Sequence, residues 1–489
     1  MTTTIDLPRV IQGGMGVGVS SWDLARAVAQ AGQLGVVSGT ALDTVLARRL
    51  QDGDADGSAR RALRHFPVPA VADRLLAKYF RSGGRAAGQP YVPTPSPVLA
   101  MSRAAQELTV AGNFVEVWLA KQGHAGLVGV NYLEKVQLVT PYAVLGAMLA
   151  GVDYVLMGAG IPREIPALLR DLAAGRPGEV GADVAGSADR HPVRVDPAAL
   201  LGPGLPPMKR PAFLAIVSAD VLASYLARDP DIRPDGFVIE GPRAGGHNAP
   251  PRGRLQLAGG EPVYGPRDDA DPAKVAALGL PFWLAGGYGS PAAVAEALAA
   301  GAVGVQVGTL FALAAESGLA PSLRRQLADS LGQDGPVVRT DASASPTGFP
   351  FKVAQLPGTL SDPGVYAQRP RLCDLGYLRT PYVRPDGRVG YRCPSEPVHM
   401  YVRKGGDAAD TEGRACLCNA LTANIGLGQT RRSGYAEVPL VTLGTDLDGV
   451  RQIHQTYPEG WTATQAVDWL LSGTLPALSG AGGPAVAEH

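Results

Sequence analysis

Short unbroken apolar runs alternate with amphipathic stretches along most of the chain. The first run, Arg9-Val10-Ile11-Gln12, stops at Gly13-Gly14-Met15-Gly16. Residues 22–31 follow, with Leu24, Ala27 and Val28 at helical spacing, Ser20 or Ser21 placed to cap them and Gly32 to end them. Further runs occupy 34–38, 127–131, 153–157, 213–217, 236–240, 281–285 and 304–307. Helical patterns follow most of them: 141–150, a helix with Pro162 in its first turn, 219–228 capped by Ser218, 291–300 capped by Ser290, and a stretch from Thr309 to Glu316. Continuous apolar strands in β–α alternation predict a parallel sheet buried on both faces.

Eight such runs suit a closed (β/α)8 TIM barrel, so the expected fold is α/β, with an insertion after the second strand and a smaller carboxyl-terminal subdomain. An open doubly wound sheet ranks second. Its dinucleotide fingerprint needs G-x-G-x-x-G, and Gly13-Gly14-Met15-Gly16-Val17-Gly18 does not fit that spacing. The expected boundaries are 1–340 for the barrel, with an insertion over about 50–126, and 341–489 for an extension that holds all four cysteines. The rhythm already breaks near Ala41. Helices are expected near 71–80 and 103–121, and Pro90, Pro93, Pro95 and Pro97 mark a loop between them. The segment 175–209 reads as loops with a short strand at 192–195, and 461–471 as a closing helix before a frayed tail from Ser472.

Composition narrows the function classes. Of 489 residues, 46% are hydrophobic, enough for a large core. Lys plus Arg equals Asp plus Glu at 44 each, so no basic excess points to nucleic acid. No run of 18 apolar residues exists, and residues 1–6 lack the regions of a signal peptide. The expectation is a cytoplasmic protein with no membrane partner, acting on a small molecule, with a homodimer kept open.

In a barrel of this kind the loops after strands seven and eight often bind phosphate through backbone N–H groups. Here they carry Gly286-Gly287 and Gly308-Thr309. After the sixth run comes Gly241-Pro242-Arg243-Ala244-Gly245-Gly246-His247, then Asn248-Ala249-Pro250-Pro251. Two glycines permit close backbone approach, and a titratable imidazole follows at the carboxyl end of a strand.

Residues 11–16, Gly129-Val130-Asn131, Ala244-Gly245-Gly246-His247, Ala285-Gly286-Gly287, and 304–309 with Glu316-Ser317 together resemble the nitronate monooxygenase family, also called 2-nitropropane dioxygenase-like, which includes FMN-dependent enoyl-ACP reductases. The resemblance spans residues 9–318. It implies a TIM barrel with non-covalent FMN. By position, Gly14 and Met15 would line the flavin ring, with Asn131 facing it and Lys135 near it. Gly245, Gly246, Gly286, Gly287, Gly308 and Thr309 would hold the phosphate end, with Gln306 in the matching strand. His247 would be the catalytic residue, because an imidazole of ordinary pKa can take a carbon-bound proton near neutral pH.

The implied activity is oxidation of a nitronate or similar carbon acid through the flavin, with oxygen as acceptor. The alternatives are an FMN-dependent, NAD(P)H-using enoyl-ACP or enoyl-thioester reductase of a fatty-acid or polyketide pathway and, from another class, a non-redox barrel that binds a phosphate ligand. Three features depart from the family's pattern: Asn248-Ala249-Pro250-Pro251 after the histidine, Glu240 where glutamine is common, and Gly-Gly-Met in the first loop. Phe349 and Phe351 fall in a Pro/Gly loop comparable to one that returns to the active site. Cys373, Cys393, Cys416 and Cys418 could hold zinc or an iron–sulfur cluster, but they lack C-x2-C knuckles. Reduced packed thiols are therefore expected, and no metal residue is assigned.

Overall fold

The computed structural model describes residues 7–331 and 335–473. The expectations for residues 1–6 and for the tail beyond Gly473 lie outside the described residues. Eight parallel strands close a barrel: β1 (Val10–Gln12), β2 (Leu34–Ser38), β3 (Val128–Leu133), β4 (Tyr154–Gly158), β5 (Ala212–Val217), β6 (Gly236–Glu240), β7 (Phe282–Ala285) and β8 (Gly304–Val307). Each strand pairs with its sequence neighbours. Closure pairs Ile11 of β1 with Gln306 of β8.

The apolar runs are explained by burial on both faces. Val36, Leu156, Val238 and Trp283 fill the barrel interior, while Val37, Val155, Phe237 and Phe282 meet the surrounding helices. The Trp283 indole N–H donates to Pro8 O at 2.7 Å, so its one polar atom is satisfied at the barrel floor.

Helix Arg103–Lys121 packs on helices Trp22–Gln30 and Thr140–Leu149, which makes it the ring helix of the second β–α unit. Between β2 and that helix stand three more, Leu42–Gln51, Ser58–Leu63 and Pro69–Tyr79. Several local expectations are corrected. Pro162 precedes its helix, Ile165–Ala173, and Pro166 is the proline of the first turn. Ala219, not Ser218, is the N-cap of helix Asp220–Arg228, with no side-chain bond. The helix after β8 is only Thr309–Ala312. Within the stretch read mainly as loops, the short strand expected at 192–195 stands as His191–Val195, paired antiparallel with an unforeseen strand Gly178–Ala182, and a short helix Pro197–Leu201 capped by Asp196 follows. The missed strand Gly178–Ala182 exposes Glu179 and carries two glycines, so it lacks the apolar run that marks the barrel strands.

Beyond β8 the chain packs back onto the barrel. Strand Val338–Asp341 pairs with Phe351–Ala354. The Tyr377 hydroxyl bonds Asp43 and Thr44, and the Trp461 indole donates to Leu310 O at 3.0 Å. Helix Ala463–Leu471 closes the described chain against the helices Trp22–Gln30 and Pro291–Ala299. No described helix is long and apolar enough to cross a membrane.

Candidate active site

The carboxyl ends of the strands surround a cavity of about 520 Å3. Gly14, Met15, Asn131, Gly245, Gly246, His247, Gly286, Gly287, Gln306, Gly308 and Thr309 all line it. Lys135 does not. Its ammonium stands 3.5 Å from the centre of the Phe349 ring, outside the lining. Phe351 lines the cavity and Phe349 does not.

The loop after β1 is fixed from behind by polar side chains. Ser20 Oγ accepts from the Met15 N–H at 2.8 Å and from Gln12 Nε2 at 2.7 Å, and donates to Gly13 O at 2.9 Å. Gln12 Oε1 accepts from the Val36 N–H at 3.0 Å. These bonds tie β1, its loop and β2 into one unit. A Cβ on Gly14 would stand 2.3 Å from Asn131 Cβ, so the loop can pass over β3 only with glycine at that position.

Two amide oxygens in the lining, Asn131 Oδ1 and Gln306 Oε1, are buried and have no hydrogen-bond partner in the protein. Leaving such an acceptor unmet costs about 1–3 kcal/mol. Both are therefore set to receive N–H donors from a ligand in the cavity.

Opposite them, Gly286 and Gly287 have φ of +83° and +105°, conformations that favour glycine. Three backbone and side-chain bonds lash the segment 442–446 over this end. The Gly246 N–H donates to Thr442 Oγ1 at 2.8 Å, the Gly444 N–H to Thr309 Oγ1 at 2.9 Å, and the Thr445 N–H to Arg243 O at 3.0 Å. Arg243 lies against Gly287 and pairs with Asp446 at 2.9 Å. Helix Asp448–Thr456 then seats Gly449 on the Gly289 carbonyl. Thr442, Gly444 and Asp446 were not foreseen. Thr442 lies 196 residues from Gly246 and Gly444 135 from Thr309, in a stretch with no sequence signal of its own.

His247 is held at the other side. Its Nε2 is 2.7 Å from Ser345 Oγ, and its ring meets Phe351 edge-on at a centroid distance of 4.8 Å. The next residue, Asn248, donates its N–H to Pro350 O at 2.9 Å and its Nδ2 to Ala244 O at 3.1 Å. The departure from the family's exit thus zips the histidine loop to strand Phe351–Ala354. Burial, helped by the Lys135 charge, lowers the imidazole pKa to about 4. This corrects the expectation of an ordinary imidazole: the ring is neutral at physiological pH. Glu240, at the end of β6, moves the other way, because burial pushes its carboxyl up to about 7. Sequence reading marked Glu240 only as a departure. The burial that tunes it is a tertiary property.

The arrangement fits a flavin mononucleotide. Unmet amide acceptors face the first loop, and glycine loops with free backbone approach lie at the ends of β6, β7 and β8. Apolar side chains Leu378, Leu417, Leu421 and Leu443 line a further part of the wall.

Among solved structures, FabK from Thermotoga maritima is 18% identical, over 96% of this chain and 93% of that one, with a TM-score of 0.47. Nitroalkane oxidase from Streptomyces ansochromogenes is 17% identical over 96% and 95%, with a TM-score of 0.44. The enoyl reductase domain of MlnA from the macrolactin biosynthesis cluster of Bacillus amyloliquefaciens is 11% identical over 95% and 93%, with a TM-score of 0.46. No curated protein matches the chain. Residues 213–346, which carry almost all of β5 together with β6 to β8, His247, Ser345 and the paired glycine loops, match the family model described as nitronate monooxygenase.

Proposed function

We propose that the chain is an FMN-dependent oxidoreductase that oxidises a nitronate or a similar small carbon acid, with oxygen as the final acceptor. The observation that carries this reading is the convergence of His247, the glycine loops and two unmet amide acceptors on one cavity. Gly14, Met15, Asn131 and Gln306 would hold the ring. Gly245, Gly286, Gly287, Gly308 and Thr309 would hold the phosphate through backbone N–H groups and one hydroxyl, while Gly246, its N–H taken by Thr442, would offer only close approach. FMN bound there supplies a two-electron acceptor that oxygen reoxidises.

The chain's own residues do the rest. The segment 442–446 and helix Asp448–Thr456 cover one end and exclude water. His247 orients substrate in the cavity. A ring held neutral down to about pH 4 carries no proton to deliver to carbon near neutral pH. That disfavours enoyl reduction, which ends with a proton delivered to carbon, and a nitronate, already deprotonated, asks no base of it. The apolar wall of Leu378, Leu417 and Leu421 favours the second reading, an enoyl-thioester reductase with an acyl chain in the cavity.

Anaerobic stopped-flow mixing separates the two. Propyl nitronate should bleach the protein's flavin absorbance, and oxygen should restore it. Rapid bleaching by NADPH or NADH with none by the nitronate would reject the first reading in favour of the second. In the same assay His247→Ala should keep its flavin and lose turnover by about 100-fold or more, the usual share of a positioned acid–base group. Unchanged turnover would remove His247 from the chemistry.

A further inference from the structure

The glycine loops leave a charge to be met. Glu296, Asp446 and Asp448 line the cavity, from the helix that follows Gly286-Gly287 and from the segment laid over it. Backbone N–H groups offer a phosphate dianion only partial charges, and carboxylates nearby repel it. Among the described residues the lining holds one Lys or Arg, which is Arg243. It stands in the loop after β6, two residues before Gly245.

The guanidinium is placed by contacts on two sides. A Cβ on Gly287 would stand 2.5 Å from Arg243 Cζ, 2.7 Å from Nη2 and 2.8 Å from Nε. The Nε–Nη2 edge therefore lies directly on the glycine loop after β7, in the room that the missing side chain leaves. The far edge is held away from the loop, where Nη1 donates to Asp446 Oδ2 at 2.9 Å. Among the described residues Nε and Nη2 have no acceptor. The backbone is fixed as well, since Arg243 O accepts the Thr445 N–H at 3.0 Å.

A plain surface ion pair that ties down the segment 442–446 is the simpler use of Arg243. Two facts weigh against it. The pair is open to solvent, with side chains 56% and 22% exposed, so it adds little as a tie. The segment is already tied by bonds at Thr442, Gly444 and Thr445. What the pair does achieve is orientation. It turns toward the glycine loop the edge of the guanidinium that takes a phosphate through two parallel N–H···O bonds.

We infer that Arg243 is the charged clamp of the flavin phosphate and makes the site select FMN over unphosphorylated flavin. The inference rests on the flavin reading above. Nε and Nη2 would meet two phosphate oxygens while Asp446 keeps Nη1, and the backbone N–H groups of the loops would complete the cradle. Gly287 then has a further reason to be glycine, because a side chain there would take the guanidinium's place.

The test titrates full-length protein, stripped of bound flavin, with FMN and separately with riboflavin, following the change in flavin fluorescence. The two ligands share ring and ribityl chain and differ in the phosphate. The parent should prefer FMN. Arg243→Gln should lose FMN affinity by about 10-fold or more, the share of a charge-assisted pair, and keep riboflavin affinity within about twofold. Added salt should weaken FMN binding more steeply in the parent than in Arg243→Gln, because it screens the charge pair. Arg243→Lys keeps the charge and loses the fork, so its FMN preference should fall between the two. Should Arg243→Gln lose its fold by circular dichroism, Arg243→Lys decides on the same ratio. An unchanged FMN preference in the folded variant, or equal losses for both ligands, would overturn the inference and leave the flavin reading standing. A parent that binds neither flavin would overturn both.

Discussion

Glu240 and His247 bracket the loop that ends β6, and burial shifts both toward their neutral forms. For the glutamate the shift has a stability consequence with a definite sign. Its folded pKa of about 7 lies above the unfolded value, so the native state holds an extra proton between roughly pH 4.5 and 7. Stability from this group is full below the unfolded pKa and is lost as pH rises through about 7. Glu240→Gln removes the ionisation. Its melting temperature relative to the parent should therefore be unchanged near pH 4.5 and higher at pH 8. A difference of the same size at both pH values would mean that Glu240 is ordinary carboxylate in the folded protein. Neither shift is visible in the motif itself. The sequence shows that a strand, two glycines and a histidine occur together, but the Ser345, Phe351 and Lys135 neighbours come from other parts of the chain.

At the scale of elements, the barrel strands were legible because their solution to burial is local. Val36 and Val37 must face opposite sides, both apolar, and so the run is unbroken. The hairpin Gly178–Ala182 was not legible, since its stability comes from pairing with His191–Val195 rather than from its own residues. The same holds for the segment 442–446 and helix Asp448–Thr456, which cover the glycine loops through long-range contacts. Gly449 is their tightest point: a Cβ there would stand 1.8 Å from Gly289 O. Gly449→Ala must push the helix away, at an overpacking cost of about 1–3 kcal/mol. The expected outcome is weaker FMN binding with little change in far-ultraviolet circular dichroism. Equal flavin affinity in parent and variant would show that this helix does not close the phosphate end.

Across the whole molecule, the carboxyl-terminal third is a working part of the site. It supplies Ser345, Phe351, Cys418, Leu421, Thr442 and Gly444, and it anchors itself to the barrel through Tyr377 and Trp461. The eleven predicted site residues that meet in the cavity come mostly from loops at strand ends, where fold and chemistry share the same glycines. Lys135 falls outside because its side chain turns to Phe349. The cavity wall from 377 to 421 and the histidine exit at Asn248 carry no motif. The most direct measurement is to denature the purified protein, release its cofactor and identify it by mass and absorbance. About one FMN per chain, with none released from protein carrying bulky replacements at Gly286 and Gly287, is the predicted result. No flavin, or a flavin without the single phosphate that those loops are shaped to hold, would contradict it.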